Sequence, residues 1–373
     1  MGLRGAGEGV ICSRRHTSRR ATDERTSCLS QTANRCCPSL TGRETDRAAV
    51  PWRRRLRACM AAGLRDGLRT GVWLLKIMIP VSFVVTVLSW LGILQWMSAW
   101  LNPVFHVVGL PAETIVPYVT GAFLNIYSAI AALGALPLDD RQVTILALMC
   151  LIAHNLPVES AVQHKAGTPM RAMLALRLTT SLLSGLLLNW MLPPDGGEAR
   201  ARGVAAAATA GWGPMLAGWG TGVAWLAGKV IVIVTSLMIL QNALREFGLI
   251  RPLAAGCAPA LWLLGLPRRT AFMWIVSNTL GLAYGGAVLL KETQSGELSP
   301  QDVQLLNRSI GVCHSLLEDT LLFVAIGAWA FWITVPRLAL AAGAVWLYRL
   351  WLNTVPIRPA GRGRRTELQE NGP

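Results

Sequence analysis

Acidic residues are scarce in this chain: 20 Asp and Glu stand against 35 Lys and Arg, and charged residues of both signs make up only 15% of its 373 positions. In a soluble protein a net charge of +15 would suggest a nucleic-acid partner. No module of interleaved basic and aromatic residues accompanies the charge, so nucleic acid is excluded as a partner. The eight Cys include no C-x-x-C pair. Cys12, Cys28, Cys36 and Cys37 lie in a polar tail and Cys150, Cys257 and Cys313 in apolar segments, which excludes a disulfide framework and a thiolate zinc site. No G-x-x-x-x-G-K-[ST] loop is present, so the chain does not drive itself by nucleotide hydrolysis. No H-E-x-x-H or other hydrolase motif and no activated nucleophile is found, and the expectation is a protein that is not an enzyme and carries no cofactor.

What fills the chain instead is apolar sequence. Between Gly71 and Leu352 charges are sparse and the apolar runs are long, which reads as an integral membrane protein. The Lys and Arg gather at the two ends, where they would meet anionic lipid headgroups.

The chain is organised around Ile152 to Gly167, Ile-Ala-His-Asn-Leu-Pro-Val-Glu-Ser-Ala-Val-Gln-His-Lys-Ala-Gly, and its echo from Val312 to Gly327, Val-Cys-His-Ser-Leu-Leu-Glu-Asp-Thr-Leu-Leu-Phe-Val-Ala-Ile-Gly. Placing His154 on His314 puts Asn155 on Ser315, Glu159 on Asp319 and Gly167 on Gly327. Ionisable side chains inside apolar segments cost several kcal/mol unless they face partners, water or a ligand, so they mark a candidate site. The rival reading is structural: His154 and Glu159 pair only to hold helices together.

Taken in order, residues 1–59 are rich in Arg, Ser and Thr, cannot bury enough surface to fold alone, and lack the apolar core of a signal peptide. A native start at Met60 is the competing reading of that stretch, and an intact mass decides between them. Arg53, Arg54, Arg55, Arg57, Arg65 and Arg69 precede a first span at about Val72 to Trp100 and hold this end in the cytoplasm. Lys76 snorkels to the interface, and Trp90, Trp96 and Trp100 form an aromatic belt. Asn102-Pro103 and Gly109-Leu110-Pro111 are turn punctuation. The piece from Ala112 to Leu136 carries Pro117, Gly121, Asn125 and Gly134 and reads as a broken or re-entrant helix, tolerated at membrane depth only beside protein or water. A helix from about Gln142 leads into His154, where Pro157 removes a backbone donor. Residues five apart on an unbroken helix point about 140° apart, so a kink is needed to bring Glu159 to His154. A last span from Met170 to Leu192 carries Arg171 and Arg177. His106 and His164 have no mirrored partner and read as interfacial or packing residues.

The second half repeats this order from a span starting near Gly218: Lys229 matches Lys76, Gly248 matches Gly92, Gly265-Leu-Pro matches Gly109-Leu-Pro, and Arg337 matches Arg177. Asn278 lies close to the register of Asn125, and Gly281, Gly285 and Gly286 loosen the second interrupted segment. Both termini are Arg-rich, the C-terminal one through Arg349, Arg358, Arg362, Arg364 and Arg365. The connector offers Arg200 and Arg202 against Asp195 and Glu198. With both ends cytoplasmic and the connector outside, each half crosses an odd number of times and the repeats are inverted. Paired interrupted segments in corresponding halves point to a transporter-like site where the repeats meet.

His154, Glu159, His314, Asp319 and Glu318 are the ionisable candidates, with His314 and Glu318 expected on one helix face. Neutral imidazole with carboxylates binds a divalent metal, or the same groups hydrogen-bond a polar solute and carry a proton. Asn125, Asn155, Asn278 and Ser315 add neutral donors and acceptors. A lone H-x-x-x-E is common, so the spacing defines no metal ligand set.

Ala153-His-Asn-Leu-Pro-Val-Glu159 and Val312-Cys-His-Ser-Leu-Leu-Glu-Asp319, each preceded by an interrupted segment, resemble the Gate family of nucleoside recognition domain proteins. That family includes spore maturation proteins A and B, and its domain recurs in concentrative nucleoside transporters and the ferrous iron transporter B. The resemblance covers about Gly71 to Leu352, one Gate-like unit per half. It implies a multi-pass protein of the bacterial inner membrane, a permease or transporter component, with a nucleoside as the first solute to test. The transporter's full set of helices and the iron protein's GTPase domain are absent here.

The expected architecture is therefore all-α: a polytopic membrane protein of two homologous, inverted helical repeats with interrupted or re-entrant segments. Its parts are a basic tail at 1–59, repeat 1 at 60–192, a connector at 193–213, repeat 2 at 214–352 and a second basic tail at 353–373. The expected partners are membrane lipids and a small polar solute, with a homo-oligomer or a partner membrane protein left open. Two alternatives stand beside the permease: a non-transporting membrane scaffold and a divalent metal permease.

Overall fold

The computed structural model describes residues 51–93, 96, 105–194, 211–281, 289–290 and 298–354. Readings that fall on residues 1–50, Trp100, Asn102-Pro103, the connector at 195–210, Gly285, Gly286 and Arg358, Arg362, Arg364 and Arg365 lie outside the described residues. The chain divides into a unit Met1–Arg55 and a unit Leu56–Pro373. The second is the membrane body.

Helix α1 is Trp52–Trp90. It starts about 20 residues before the span expected from Val72, inside the stretch read as a tail, and it stops at Trp90, where Gly92 turns the chain with φ of 74°. A positive φ is open to glycine without steric cost, which makes Gly92 a sharper stop than the apolar run beyond it suggested. Along its first half α1 carries Gly63, Gly67 and Gly71, which face Ile239, Thr235 and Ile231 of α7, Trp212–Glu246. A Cβ at Gly67 would sit 2.5 Å from the Thr235 Cα, so the two backbones touch where side chains would normally hold them apart. Numbers rise on one helix as they fall on the other, and the order continues through Phe83 on Trp219 and Trp90 on Trp212, so α1 and α7 run antiparallel.

The interrupted segment is as broken as its Pro and Gly content predicts. A 3-10 turn at Ala112–Thr114 leads into α2, Ile115–Phe123, the chain breaks at Leu124 and Asn125, and α3 follows at Ile126–Leu133. Pieces of 9 and 8 residues rise only about 12–14 Å, well short of a ~30 Å hydrocarbon core. Gly121 packs on Ala129, so the two pieces fold back on each other as a helical hairpin. Asn125 restarts the helix: its Oδ1 accepts from the Ser128 amide at 2.9 Å.

Helix α4, Asp140–Ala153, opens on a capping box of Asp139 and Gln142, and every residue from Val143 to Ala153 is buried. A helix apolar all round belongs in the centre of a bundle, and α4 sits there against α6, Met170–Met191, and α12, Ala330–Thr354. Between α4 and α6 lies α5, Leu156–Lys165.

The second half contains α7, then α8 at Ile250–Cys257, a 3-10 turn at Arg268–Thr270, α9 at Ala271–Thr279, α10 at Pro300–Val312, α11 at Glu318–Ala325 and α12. The local devices of the first half return in order. Thr114 and Thr270 each donate to the proline carbonyl three residues back, at 2.7 Å in both cases. Ser299 and Asp302 repeat the capping box of Asp139 and Gln142. Positive φ recurs at Gly109 and Gly265, Gly167 and Gly327, and Asn155 and Ser315. The register near Asn278 is close but not strict, as the sequence indicated: the Asn155 amide donates to the Gly121 carbonyl (2.8 Å) and the Ser315 amide to that of Ser277 (3.1 Å), so Gly121 matches Ser277 and Asn125 matches Gly281.

Five helical stretches among the described residues are long and apolar enough to cross a membrane: Trp52–Trp90, Asp140–Lys165 taken as one kinked unit, Met170–Met191, Trp212–Glu246 and Ala330–Thr354.

Candidate functional site

Two helix breaks build the polar centre. Helix α4 ends at Ala153, His154 is extended, and Asn155 turns left-handed (φ 49°) before Pro157 sets the first turn of α5. In the other half α10 ends at Val312, Ser315 takes φ 48°, and α11 begins at Glu318. Each break leaves carbonyls at a helix C-terminus with no amide to accept from, and in a membrane they need another donor.

Arginine supplies it. Arg177 on α6 donates through Nε to the Ile152 carbonyl at 2.8 Å and through a guanidinium nitrogen to the His154 carbonyl at 2.6 Å. Arg337 on α12 donates through Nε to the Val312 carbonyl at 3.0 Å, and its other donor crosses to Leu151 of the first half at 2.8 Å. Both side chains are 0% exposed. A guanidinium presents five donors in a fixed fork and so satisfies several carbonyls at once, which an ammonium does less well.

Inside the frame lie four of the five ionisable candidates, His154, Glu159, His314 and Asp319, all buried. The kink brings Glu159 Oε1 to 3.5 Å from His154 Nε2, as the sequence required, and the Glu159 Oε2 pairs with Arg177 at 2.8 Å and with His314 Nε2 at 3.2 Å. Asp319 Oδ2 lies 3.5 Å from His154 Nε2 and has no hydrogen-bond partner. The two imidazoles meet directly, Nε2 to Nε2 at 3.2 Å. Their other nitrogens face carbonyls only: His314 Nδ1 is 2.7 Å from the Ile310 oxygen, and His154 Nδ1 is 3.2 Å from those of Cys150 and Leu151. A carbonyl oxygen only accepts, so each Nδ1 carries a proton, and the two Nε2 atoms are turned toward each other and toward the carboxylates of Glu159 and Asp319.

The remaining candidates are placed differently. His314 and Glu318 do not share a helix face, because α10 ends before His314 and α11 begins only at Glu318. Glu318 instead accepts a hydrogen bond from Tyr127 of α3 at 2.6 Å, which ties the first half's helical hairpin to α11. Asn125 caps α3. Asn278 is buried, donates to the Trp274 carbonyl at 2.9 Å and leaves its Oδ1 without a partner. Asn155 and Ser315 act through backbone conformation and through the amides that tie the breaks to Gly121 of α2 and to Ser277 of α9. His106 and His164 are exposed. Arg177 and Arg337 were absent from the candidates drawn from sequence, although they satisfy the same criterion, matched ionisable residues inside apolar spans.

A duplicated all-helical body whose halves each contribute an imidazole and a carboxylate to one buried cluster defines a polytopic membrane protein with an internal polar centre. The chain belongs to the Gate family: the family model described as "Nucleoside recognition" matches residues 72–166, from within α1 to the end of α5. It is 34% identical over 273 residues to the uncharacterized membrane protein YvoD of Bacillus subtilis (strain 168), an alignment covering 71% of this chain and 86% of that protein. No solved structure matches the chain.

Proposed function

We propose that this protein is a permease-like component of a bacterial inner membrane, multi-pass with both ends in the cytoplasm, and that its solute binds at the polar centre where two inverted repeats meet. The observation that carries the reading is the cluster of His154, Glu159, His314 and Asp319, drawn equally from both halves and buried at two helix breaks. Discontinuous helices in corresponding halves are how transporter folds place polar backbone and side chains at the membrane midplane. The antiparallel packing of α1 on α7, the first long helix of each half, supports the inversion. The Arg-rich start of α1 supports a cytoplasmic N-terminus. The family's description makes nucleosides and nucleobases the first solutes to test, and the neutral groups of Asn155, Asn278 and Ser315 are suited to hydrogen bonds with a ribose or a base edge.

The test is uptake of labelled nucleosides and of divalent metal ions into proteoliposomes, beside thermal-stability measurements of the detergent-purified chain with the same compounds. A ligand that binds only the folded state raises the midpoint by mass action. Uptake and a midpoint shift that both vanish in Glu159→Gln, with the variant still monodisperse, are the expected result. No uptake and no shift with any compound, together with a strongly destabilised Glu159→Gln variant, would leave the scaffold reading in its place.

A further inference from the structure

We infer that the polar centre is a divalent transition-metal site whose protein ligands are His154 Nε2, His314 Nε2 and Asp319 Oδ2. These three donor atoms lie within 4.8 Å of one another. The inference rests on reading the centre as the ligand site and gives that site a chemical class of ligand.

Tautomer is the first observation. With both Nδ1 atoms committed as donors to carbonyls, the two Nε2 atoms meet at 3.2 Å, and two lone pairs set face to face there repel unless positive charge sits between them. A shared proton is one such charge, but a charge-assisted hydrogen bond closes to about 2.7–2.9 Å. It would also leave Asp319 Oδ2, 3.5 Å from His154 Nε2 and beyond good hydrogen-bond length, without a donor. A metal ion at the centre answers the facing imidazoles and the carboxylate together. Ligand bonds of about 2.0–2.1 Å arranged tetrahedrally put neighbouring donor atoms about 3.3–3.4 Å apart. His154 Nε2 stands near that spacing from both other ligands, 3.2 Å from His314 Nε2 and 3.5 Å from Asp319 Oδ2, and with all three atoms within 4.8 Å of one another, closing the shell draws His314 and Asp319 inward.

The second observation is the orphan oxygen: Asp319 Oδ2 is buried among these donors with nothing to accept from, which costs free energy as the site stands and is resolved by a cation. The third is the outer shell. Metal-bound histidines nearly always donate their other nitrogen to a carbonyl or carboxylate, which fixes ring and tautomer, and both histidines do so here. Two imidazoles and one carboxylate suit Zn²⁺, Fe²⁺ or Co²⁺ rather than Ca²⁺ or Mg²⁺, which prefer all-oxygen shells. Glu159 stands at the remaining side, anchored by Arg177, and either completes the tetrahedron or leaves that position to water or a solute.

The experiment uses the full-length chain in detergent, stripped by chelator and titrated with Co²⁺, with metal content and ligand-field absorption read together. Expected is one Co²⁺ per chain with the absorption of tetrahedral nitrogen and oxygen coordination. Asp319→Asn, which keeps the side-chain volume, should weaken binding by more than about a hundredfold, since even outer-shell changes cost 10–100-fold. Glu318→Gln should retain it. A monodisperse wild-type chain that takes up no Co²⁺ would overturn the inference in favour of a shared proton. So would Co²⁺ held with sulfur charge-transfer bands and unaffected by Asp319→Asn, since those would place it on cysteine thiols. Metal bound at the centre without uptake of any solute would remove the permease reading and leave this site standing.

Discussion

Replacing Arg177 by Met is the most informative perturbation of the polar centre, because this one side chain closes a helix end and neutralises a carboxylate. Its removal leaves the Ile152 and His154 carbonyls without their charged donor and leaves Glu159 without its guanidinium partner. An uncompensated buried charge costs about 3–5 kcal/mol, and hydrogen bonds to charged donors contribute about 1.5–3 kcal/mol each, though not additively. The carboxylate dominates, so Arg177→Met should lose about 3–5 kcal/mol of stability. Adding Glu159→Gln should restore a large part of that loss, since no buried charge is then stranded. Reversible unfolding of the four members of this double-mutant cycle in detergent or bicelles measures the coupling. A coupling below about 0.5 kcal/mol, or an Arg177→Met variant as stable as wild type, would refute the argument that this pair holds the break together.

Three further outcomes follow from named contacts. Ser315 adopts φ 48°, a region that costs an L-residue about 1–2 kcal/mol, so Ser315→Gly should be close to neutral and Ser315→Val clearly destabilising by melting temperature; a tolerated valine would mean that the turn is not held as described. Gly67→Leu drives a side chain into the Thr235 backbone of α7, and it should sharply reduce the yield of monodisperse protein, whereas Gly92→Asn, which meets no neighbour, should not. Tyr127→Phe removes the donor to Glu318 and should cost about 1.5–3 kcal/mol, an effect that Glu318→Gln largely masks when both are present; additive losses would show that the 2.6 Å hydrogen bond is not what ties the hairpin to α11.

What was legible in the sequence were features that act locally or repeat. Pro117, Gly121 and Asn125 announced a broken helix, because proline, glycine and a capping side chain each change the backbone where they stand. The alignment of His154 with His314 revealed the duplication, and the need for a kink before Glu159 followed from helix geometry alone. What could not be read were partners distant along the chain. Nothing near Arg177 or Arg337 in sequence shows that each reaches back to the end of another helix, and Arg171 beside Arg177 is exposed. Spacing of four between His314 and Glu318 suggested a shared helix face, but α10 stops at Val312, before His314, and the left-handed turn at Ser315 precedes the start of α11 at Glu318. The start of α1 was misplaced because its first turns are Arg-rich, and charge marks a membrane boundary without ending a helix.

The two halves of the centre are related by duplication yet not equivalent, and the difference makes a final prediction. Glu159 pairs with Arg177 at 2.8 Å, whereas among the described residues no ion pair joins the matched Asp319 and Arg337, and Arg337 reaches across to Leu151 instead. Transporters built from inverted repeats change their facing when the two repeats exchange conformations. If the chain is the permease of inverted repeats proposed above, that exchange requires the opposite-facing state to pair Arg337 with Asp319 and to release Glu159 from Arg177. The carboxylate exposed to the solute would then alternate between Glu159 and Asp319. Locking that state with a conformation-selective binder and determining its structure tests the exchange. A pair between Arg177 and Glu159 that survives in both states would show that this half is a fixed support, and that any movement of solute takes place against it.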